Sequence, residues 1–197
     1  MSEQGDAEAI HQYLHNALIP AIKRPEVGPS GFFHNASEDE SDRPRIVVVI
    51  PYENADTSPV CKRKLADDVK YQTAAEFYLS RGSKNSPYER IESELSVAMD
   101  CMPLLKVPAN QLKNRSCVFE LRTYESANKR LGDLKVHMFN NGEVPIFHDF
   151  GIQPSFIGKA IIGPFTPSLG YLTAYPSEKA RNEAGTVFRS HPDWQVL

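Results

Sequence analysis

The segment Val144-Pro145-Ile146-Phe147 decides the fold, because a counterpart, Ile19-Pro20-Ala21-Ile22, precedes it by 125 residues. At the same offset the Pro-Ser pair at 29–30 is matched by the Pro-Ser pair at 154–155, and no gap is needed between the two matches. Internal repeats of this kind indicate one structural unit used twice. Chance similarity between short apolar segments is the competing interpretation.

Hydrophobic spacing gives both halves a related order of elements, which supports the repeat. For the first half we predict a helix over 10–22, strands over 29–35 and 45–51, a helix from Ser58 to about Leu79, and a strand over 91–99. For the second half we predict a strand over 117–125, a helix from about Ala127 with Leu131, Leu134 and Met138 on one face, strands over 154–162 and 169–175, and a helix after Ser177.

Each half is therefore one strand short of β-α-β-β-α-β, the ferredoxin-like motif. We predict an α+β protein with a first, diverged module at 1–102, a linker at 103–116 and a second module at 117–197. The first strand of module 1 and the last strand of module 2 are expected to be missing. Unpaired sheet edges favour association, so we expect a homodimer formed through exposed sheet edges.

Two motifs of the second module are specific enough to compare with a family. The strand Phe119-Glu120-Leu121-Arg122-Thr123-Tyr124 and the distal segment His191-Pro192-Asp193-Trp194 resemble the strand motif and the helix-end signature of the NIPSNAP family. The resemblance covers about 117–197, and residues 9–54 resemble a diverged first module. It implies a dimeric α+β barrel, here with both sheets from one chain. The wider superfamily includes small monooxygenases, haem-dependent enzymes and isomerases, whereas no settled reaction is implied for NIPSNAP members.

Strand alternation selects the first candidate site residues. Glu120, Arg122 and Tyr124 share one face of the predicted strand, which we expect to line a cavity between the modules, while Phe119 and Leu121 point toward the helices. Arginine can clamp an anion and tyrosine can act as an acid or hydrogen-bond donor. A purely structural charge network is the favoured alternative.

Glu143 and His148 complete the candidate cavity lining. His137 and His148 flank Glu143, and one of the two histidines could act as a base or as a haem ligand, although exposed or core histidines are more common. His11 and His15 have the spacing of a zinc pair, but no third ligand is evident nearby. We therefore predict no metal site and no cofactor.

Composition excludes several classes of protein. The 22 basic and 25 acidic residues leave a net charge of −3, which gives no general attraction for nucleic acid. The longest apolar run, 46–50, is too short to span a bilayer. Three widely spaced cysteines indicate free thiols in a reducing compartment, so a cytoplasmic location is expected. The acidic stretch 37–42 is predicted to be a solvated hairpin tip.

Two functions remain open on this evidence. The first is a binding or assembly module whose cavity is packed shut. The second is a small-molecule enzyme, monooxygenase-like or isomerase-like, with its site between the two sheets. A small-molecule ligand is a candidate partner, and an open, polar-lined cavity would favour the enzyme.

Overall fold

The computed structural model describes residues 6–23, 28–35, 45–113, 117–188 and 192. The chain forms two compact units, Met1–Ile91 and Glu92–Leu197, which we call the N-terminal and C-terminal units. Over the described residues, no helix combines the length and the apolar character needed to cross a membrane. The fold is α+β with two antiparallel sheets, as predicted.

The N-terminal unit begins with one continuous helical segment. It consists of α1 (Ala7–Tyr13), a π-helical turn (Leu14–Leu18) and α2 (Ile19–Ile22). A hairpin follows, made of β1 (Gly31–His34) and β2 (Ile46–Val49), and then come α3 (Thr57–Asp67), α4 (Val69–Leu79) and a short 3-10 turn (Ser83–Asn85). The core of the unit is formed where Ala17, Ala21, Tyr71 and Ala75 pack together.

The prediction of a single helix from Ser58 to Leu79 is wrong, because Asp68 separates this segment into two helices, α3 and α4. Asp68 has extended backbone angles, and its carboxylate accepts a hydrogen bond from the Tyr71 amide at 3.1 Å. An aspartate in this conformation is a favourable N-cap, so the second helix starts afresh at Val69.

The C-terminal unit contains a four-stranded antiparallel sheet in the order β3-β5-β6-β4. Its elements are β3 (Leu95–Ala98), α5 (Ala109–Leu112), β4 (Val118–Glu125), α6 (Lys129–Met138), a π-helical turn (Phe139–Glu143), α7 (Val144–Asp149), β5 (Gln153–Ile162), β6 (Ser168–Tyr175) and α8 (Glu178–Phe188). The predicted order β-α-β-β-α thus describes residues 118–188. Strand β3, which the sequence placed in the first module, belongs to this unit and pairs with β5.

The core of the C-terminal unit lies between the sheet and its helices. Phe139, Phe147 and Phe188 from the helices pack with Ile157 and Tyr171 from the strands. Aromatic rings fill much of this layer, with Phe139 and Tyr171 centroids 5.3 Å apart. The helices therefore cover the sheet face that carries Tyr171.

Cross-strand register shows which residues of β4 share that face. Arg122 lies opposite Tyr171, and Glu120 lies opposite Thr173. Residues directly opposite in an antiparallel pair point to the same side, so Glu120, Arg122 and Tyr124 face the helices. The predicted direction is wrong, although the predicted alternation is confirmed: Leu121 is on the other face and is exposed.

The leucines that the sequence places on one face of α6 are not the side chains that pack in the core. Leu131 and Leu134 are 39% and 51% exposed, whereas Val136 and Phe139 pack in the core. The helix is rotated so that Asp133 reaches Lys159 of β5, with Nζ donating to Oδ1 at 2.7 Å.

Two π-helical turns occupy corresponding places in the chain. Leu14–Leu18 and Phe139–Glu143 are 125 residues apart, the offset of the sequence repeat. Each turn is followed by a short helix with proline in its first turn. In the same comparison Glu143 stands where the N-terminal unit has Leu18. The acidic stretch 37–42 and the segment 191–194, apart from Pro192, lie outside the described residues.

Candidate functional site

A polar cluster lies on the helix-covered face of the C-terminal sheet. Strands β4 and β6 position most of it, since their register places Arg122 beside Tyr171 and Glu120 beside Thr173. The π-helical turn between α6 and α7 adds Glu143. The cluster thus joins three segments that are separated in sequence.

Arg122 is the cation of the cluster and its most exposed member toward solvent, with a side chain 40% exposed. Its Nη2 lies 2.9 Å from Oε2 of Glu120, and its Nη1 donates a hydrogen bond of 3.4 Å to the Tyr171 hydroxyl. Partial burial disfavours its charge, but hydrogen bonds to Tyr124 and Glu120 and the nearby Tyr171 outweigh this and raise the pKa of Arg122. The guanidinium therefore stays charged.

Glu120 connects Arg122 to the last helix. Its Oε1 lies 3.6 Å from Nη1 of Arg181 in α8, and its Oε2 accepts a hydrogen bond of 3.4 Å from the Tyr175 hydroxyl. Arg181 also pairs with Glu178 at 3.0 Å. Two arginines and two glutamates balance one another, so this ion-paired network has no net charge.

A pair of tyrosines forms the buried part of the cluster. The hydroxyls of Tyr124 and Tyr171 lie 2.9 Å apart, and the two rings meet edge to face. Tyr171 is 2% exposed. Burial, together with the hydrogen bond to Tyr124, raises the pKa of Tyr171, so its phenol is neutral and can act as a donor near neutral pH.

Glu143 is the least compensated group in the cluster. It is 1% exposed, and its Oε1 has no hydrogen-bond partner among the described residues. Burial raises the pKa of Glu143 to about 8, although the positive charge of Arg122 acts in the opposite direction. Buried polar atoms normally have partners, and π-helical turns are frequent at functional sites.

The predicted site residues divide into two groups. Glu120, Arg122, Tyr124 and Glu143 surround or adjoin Tyr171, on the helix-covered face of one sheet. His148 is exposed on α7 and takes no part in the cluster.

The other predicted histidines lie elsewhere. His137 Nδ1 contacts the Asn141 side-chain amide at 3.1 Å. His11 and His15 lie on the first helical segment, both exposed. Within the part of the chain that the structure describes, no three His, Cys, Asp or Glu residues come together as metal ligands.

Sequence reasoning missed Tyr171, Tyr175 and Arg181. The sequence does contain a signal for Tyr171. If the predicted strands over 117–125 and 169–175 pair, this tyrosine lies opposite or near Arg122. The contribution of Arg181 depends on how α8 crosses the sheet, which residue spacing does not reveal.

Known proteins resemble this chain in one domain and in the fold. The NIPSNAP family model matches residues 119–197. A crystal structure at 1.55 Å resolution, of a protein from Lactobacillus acidophilus NCFM described as a "putative monooxygenase", superposes with a TM-score of 0.52 at 14% identity, covering 96% of this chain and 77% of that one. This likeness shows a shared fold. No curated protein matches the sequence.

Proposed function

We propose that this chain, which carries a NIPSNAP domain over residues 119–197, is a binding module for a small neutral organic molecule. The proposed site is the cluster of Arg122, Tyr124, Tyr171 and Glu143. The observation that carries the proposal is the fully buried Glu143 carboxyl whose Oε1 lacks a hydrogen-bond partner among the described residues.

A buried carboxyl without a hydrogen-bond partner destabilises the folded state. Leaving a buried polar group without a hydrogen bond costs about 1–3 kcal/mol, and more if the group is charged. The corresponding π-helical turn in the N-terminal unit ends in Leu18, so a turn of this kind forms without a carboxyl. The local backbone therefore does not explain why a carboxyl stands at this position. A bound molecule that forms a hydrogen bond with the carboxyl would explain it.

The charge balance of the site favours a neutral ligand. Arg122 already pairs with Glu120, and Glu120 also faces Arg181, so no uncompensated cation is left to attract an anion. The surrounding wall is aromatic, with Tyr124, Phe139 and Tyr171 in mutual contact. A molecule with an apolar body and one or two polar atoms suits such a site.

A small-molecule enzyme is the second candidate. The observation in its favour is the buried Glu143 carboxyl, whose Oε1 has no hydrogen-bond partner among the described residues. Burial raises the pKa of Glu143 to about 8, which places the group between its acid and base forms near neutral pH. Proton transfer, as in an isomerase-like reaction, uses such a group directly. A monooxygenase-like reaction has support only from the fold shared with the Lactobacillus acidophilus protein.

Ligand-detected NMR tests the binding proposal with three probes: benzamide, cyclohexanone and benzoate. We expect saturation transfer to the two neutral probes and none to benzoate, which matches benzamide in shape but is anionic. The signal should vanish in Glu143→Leu, a variant that copies the residue of the N-terminal turn. Benzoate binding as strong as that of benzamide, binding unchanged in Glu143→Leu, or no binding by either neutral probe would each contradict the proposal.

A further inference from the structure

We infer that this site catalyses reversible proton transfer at a carbon next to a carbonyl group, with Glu143 Oε1 accepting the proton and the Tyr171 hydroxyl holding the carbonyl oxygen. The inference rests on the proposed function, since it requires the ligand to occupy the same cluster. It assigns the substrate class as a neutral, enolisable carbonyl compound.

The hydrogen bonds around Tyr171 prepare its hydroxyl to donate. The oxygen accepts a hydrogen bond from Arg122 Nη1 at 3.4 Å. The Tyr124 hydroxyl, 2.9 Å away, can donate to the same oxygen. Tyr171 then keeps its own proton for a third partner. A phenol that receives hydrogen bonds from a cation and a second phenol is a stronger donor, because linked hydrogen bonds polarise one another.

Glu143 is suited to the role of the base. Its carboxyl is enclosed, and the Oε1 atom is free of hydrogen bonds from other described residues. Phe139 and Phe147, four residues before and after Glu143, both lie against the Tyr171 ring, with centroids 5.3 and 5.7 Å from it. The turn therefore places Glu143 beside Tyr171, which Arg122 also contacts at 3.4 Å. A carboxylate without competing donors keeps its basicity, because hydrogen bonds to the charged form lower the pKa of a carboxyl group.

The reaction balances without any co-reactant. The bond between the α-carbon and its hydrogen breaks, and the proton moves to Oε1 of Glu143. The electron pair forms the carbon–carbon double bond of an enolate, whose negative oxygen accepts the hydrogen bond from Tyr171, with the positive charge of Arg122 behind it. Return of the proton to the same carbon gives exchange, and return to a conjugated carbon gives an isomer. Electrostatic stabilisation of a developing oxyanion of this kind is a large source of rate enhancement.

The pH dependence follows from the role of Glu143. The base form is required, and its pKa of about 8 leaves about one tenth of the molecules ionised at pH 7. The rate should therefore rise with pH and level off above about 8. Among the described residues, the ionisable groups that interact electrostatically with Glu143 are Arg122 on β4, Tyr171 on β6 and Cys101 after β3. The pKa values of Arg122 and Tyr171 are both raised, and burial raises the pKa of the Cys101 thiol. None of these three groups therefore loses its proton in the pH range over which the rate increases.

Deuterium exchange of cyclohexanone in D2O tests the inference on the full-length protein. We expect the protein to accelerate loss of the α-hydrogen signals in proton NMR, with Glu143→Gln slower by about 10²- to 10⁴-fold and Tyr171→Phe slower by about 10²-fold. Glu143→Asp should move the midpoint of the pH profile. The control is Glu183→Gln, an exposed carboxyl on α8 that should leave the rate unchanged.

Binding of the same probe separates the possible failures. Cyclohexanone that binds to the wild type without exchange would overturn the proton-transfer inference and leave the binding proposal in place. The inference would also be overturned if the Glu143→Gln variant kept the wild-type circular dichroism spectrum and still catalysed the exchange. If neither cyclohexanone nor benzamide binds, both proposals fail.

Discussion

Replacing Glu143 by glutamine should change how the stability of the protein depends on pH. The ordinary pKa of this carboxyl is 4.5, and burial raises it to about 8 in the folded protein. Between these two values the folded state holds a proton that the unfolded state has lost. Stability must therefore fall as pH rises through this window, because the folded state binds more protons than the unfolded state.

The size of the effect follows from the two pKa values. Each tenfold change in proton affinity corresponds to about 1.4 kcal/mol. Well above pH 8, ionisation of the buried Glu143 therefore lowers the free energy of unfolding by about 5 kcal/mol. About 4 kcal/mol of this decrease develops between pH 5 and pH 8.5. The Glu143→Gln variant lacks this contribution, since its amide does not titrate.

Urea unfolding of both proteins at pH 5 and pH 8.5 measures the difference. Every other titrating group is common to both, so the change in the free energy of unfolding between wild type and variant isolates Glu143. We expect the variant to gain about 4 kcal/mol relative to the wild type between these pH values. Carbon-13 NMR of the glutamate carboxyls gives the pKa directly. Parallel stability curves, or a carboxyl titrating near 4.5, would refute the reasoning.

Two further predictions concern neighbouring groups. Arg122→Met should raise the pKa of Glu143 above 8, because the charge of Arg122 is what opposes the effect of burial; an unchanged carbon-13 titration would show that the two groups do not interact. Asn128→Ala should destabilise the C-terminal unit by about 1 kcal/mol, since the Asn128 side chain accepts a hydrogen bond from the Leu131 amide at the start of α6. Asn182→Ala, in the interior of α8, serves as the control in thermal unfolding, and an equal loss there would count against the capping argument.

The order of helices and strands was largely predictable, because both halves of the sequence show hydrophobic periodicity. The strand over 118–125 and the hairpin of β5 and β6 follow from runs of residues that pack on a pleated surface. The break at Asp68 was not predicted, since the apolar stripe there is weak and the decisive hydrogen bond involves one side chain. The homodimer through sheet edges stays a prediction.

The direction of β4 was mispredicted for a physical reason. Alternation separates Leu121 from Arg122 but does not say which face the helices cover. Charged residues were assigned away from the helices, yet Glu120 and Arg122 neutralise each other there at 2.9 Å. A paired charge with an aliphatic stem is tolerated beside a core in a way that an isolated charge is not.

The candidate site was predicted in part. Glu143 and His148 are five residues apart, which separates them by about 140° around a helix. One therefore faces the core while the other faces solvent. Tyr171 escaped notice because its contact with Arg122 arises from strand pairing over 49 residues.

The π-helical turn at Phe139–Glu143 also acts as a phase adjustment between two helices. A helix rotates by about 100° for each residue, so an inserted or deleted residue changes the direction in which everything after it points. Removing one residue from the turn would swing Ile146 and Phe147 away from the core that they now fill. Length at this point is thus constrained even where the side chain is not buried, and at the exposed Asn141 a substitution should be tolerated where a deletion is not.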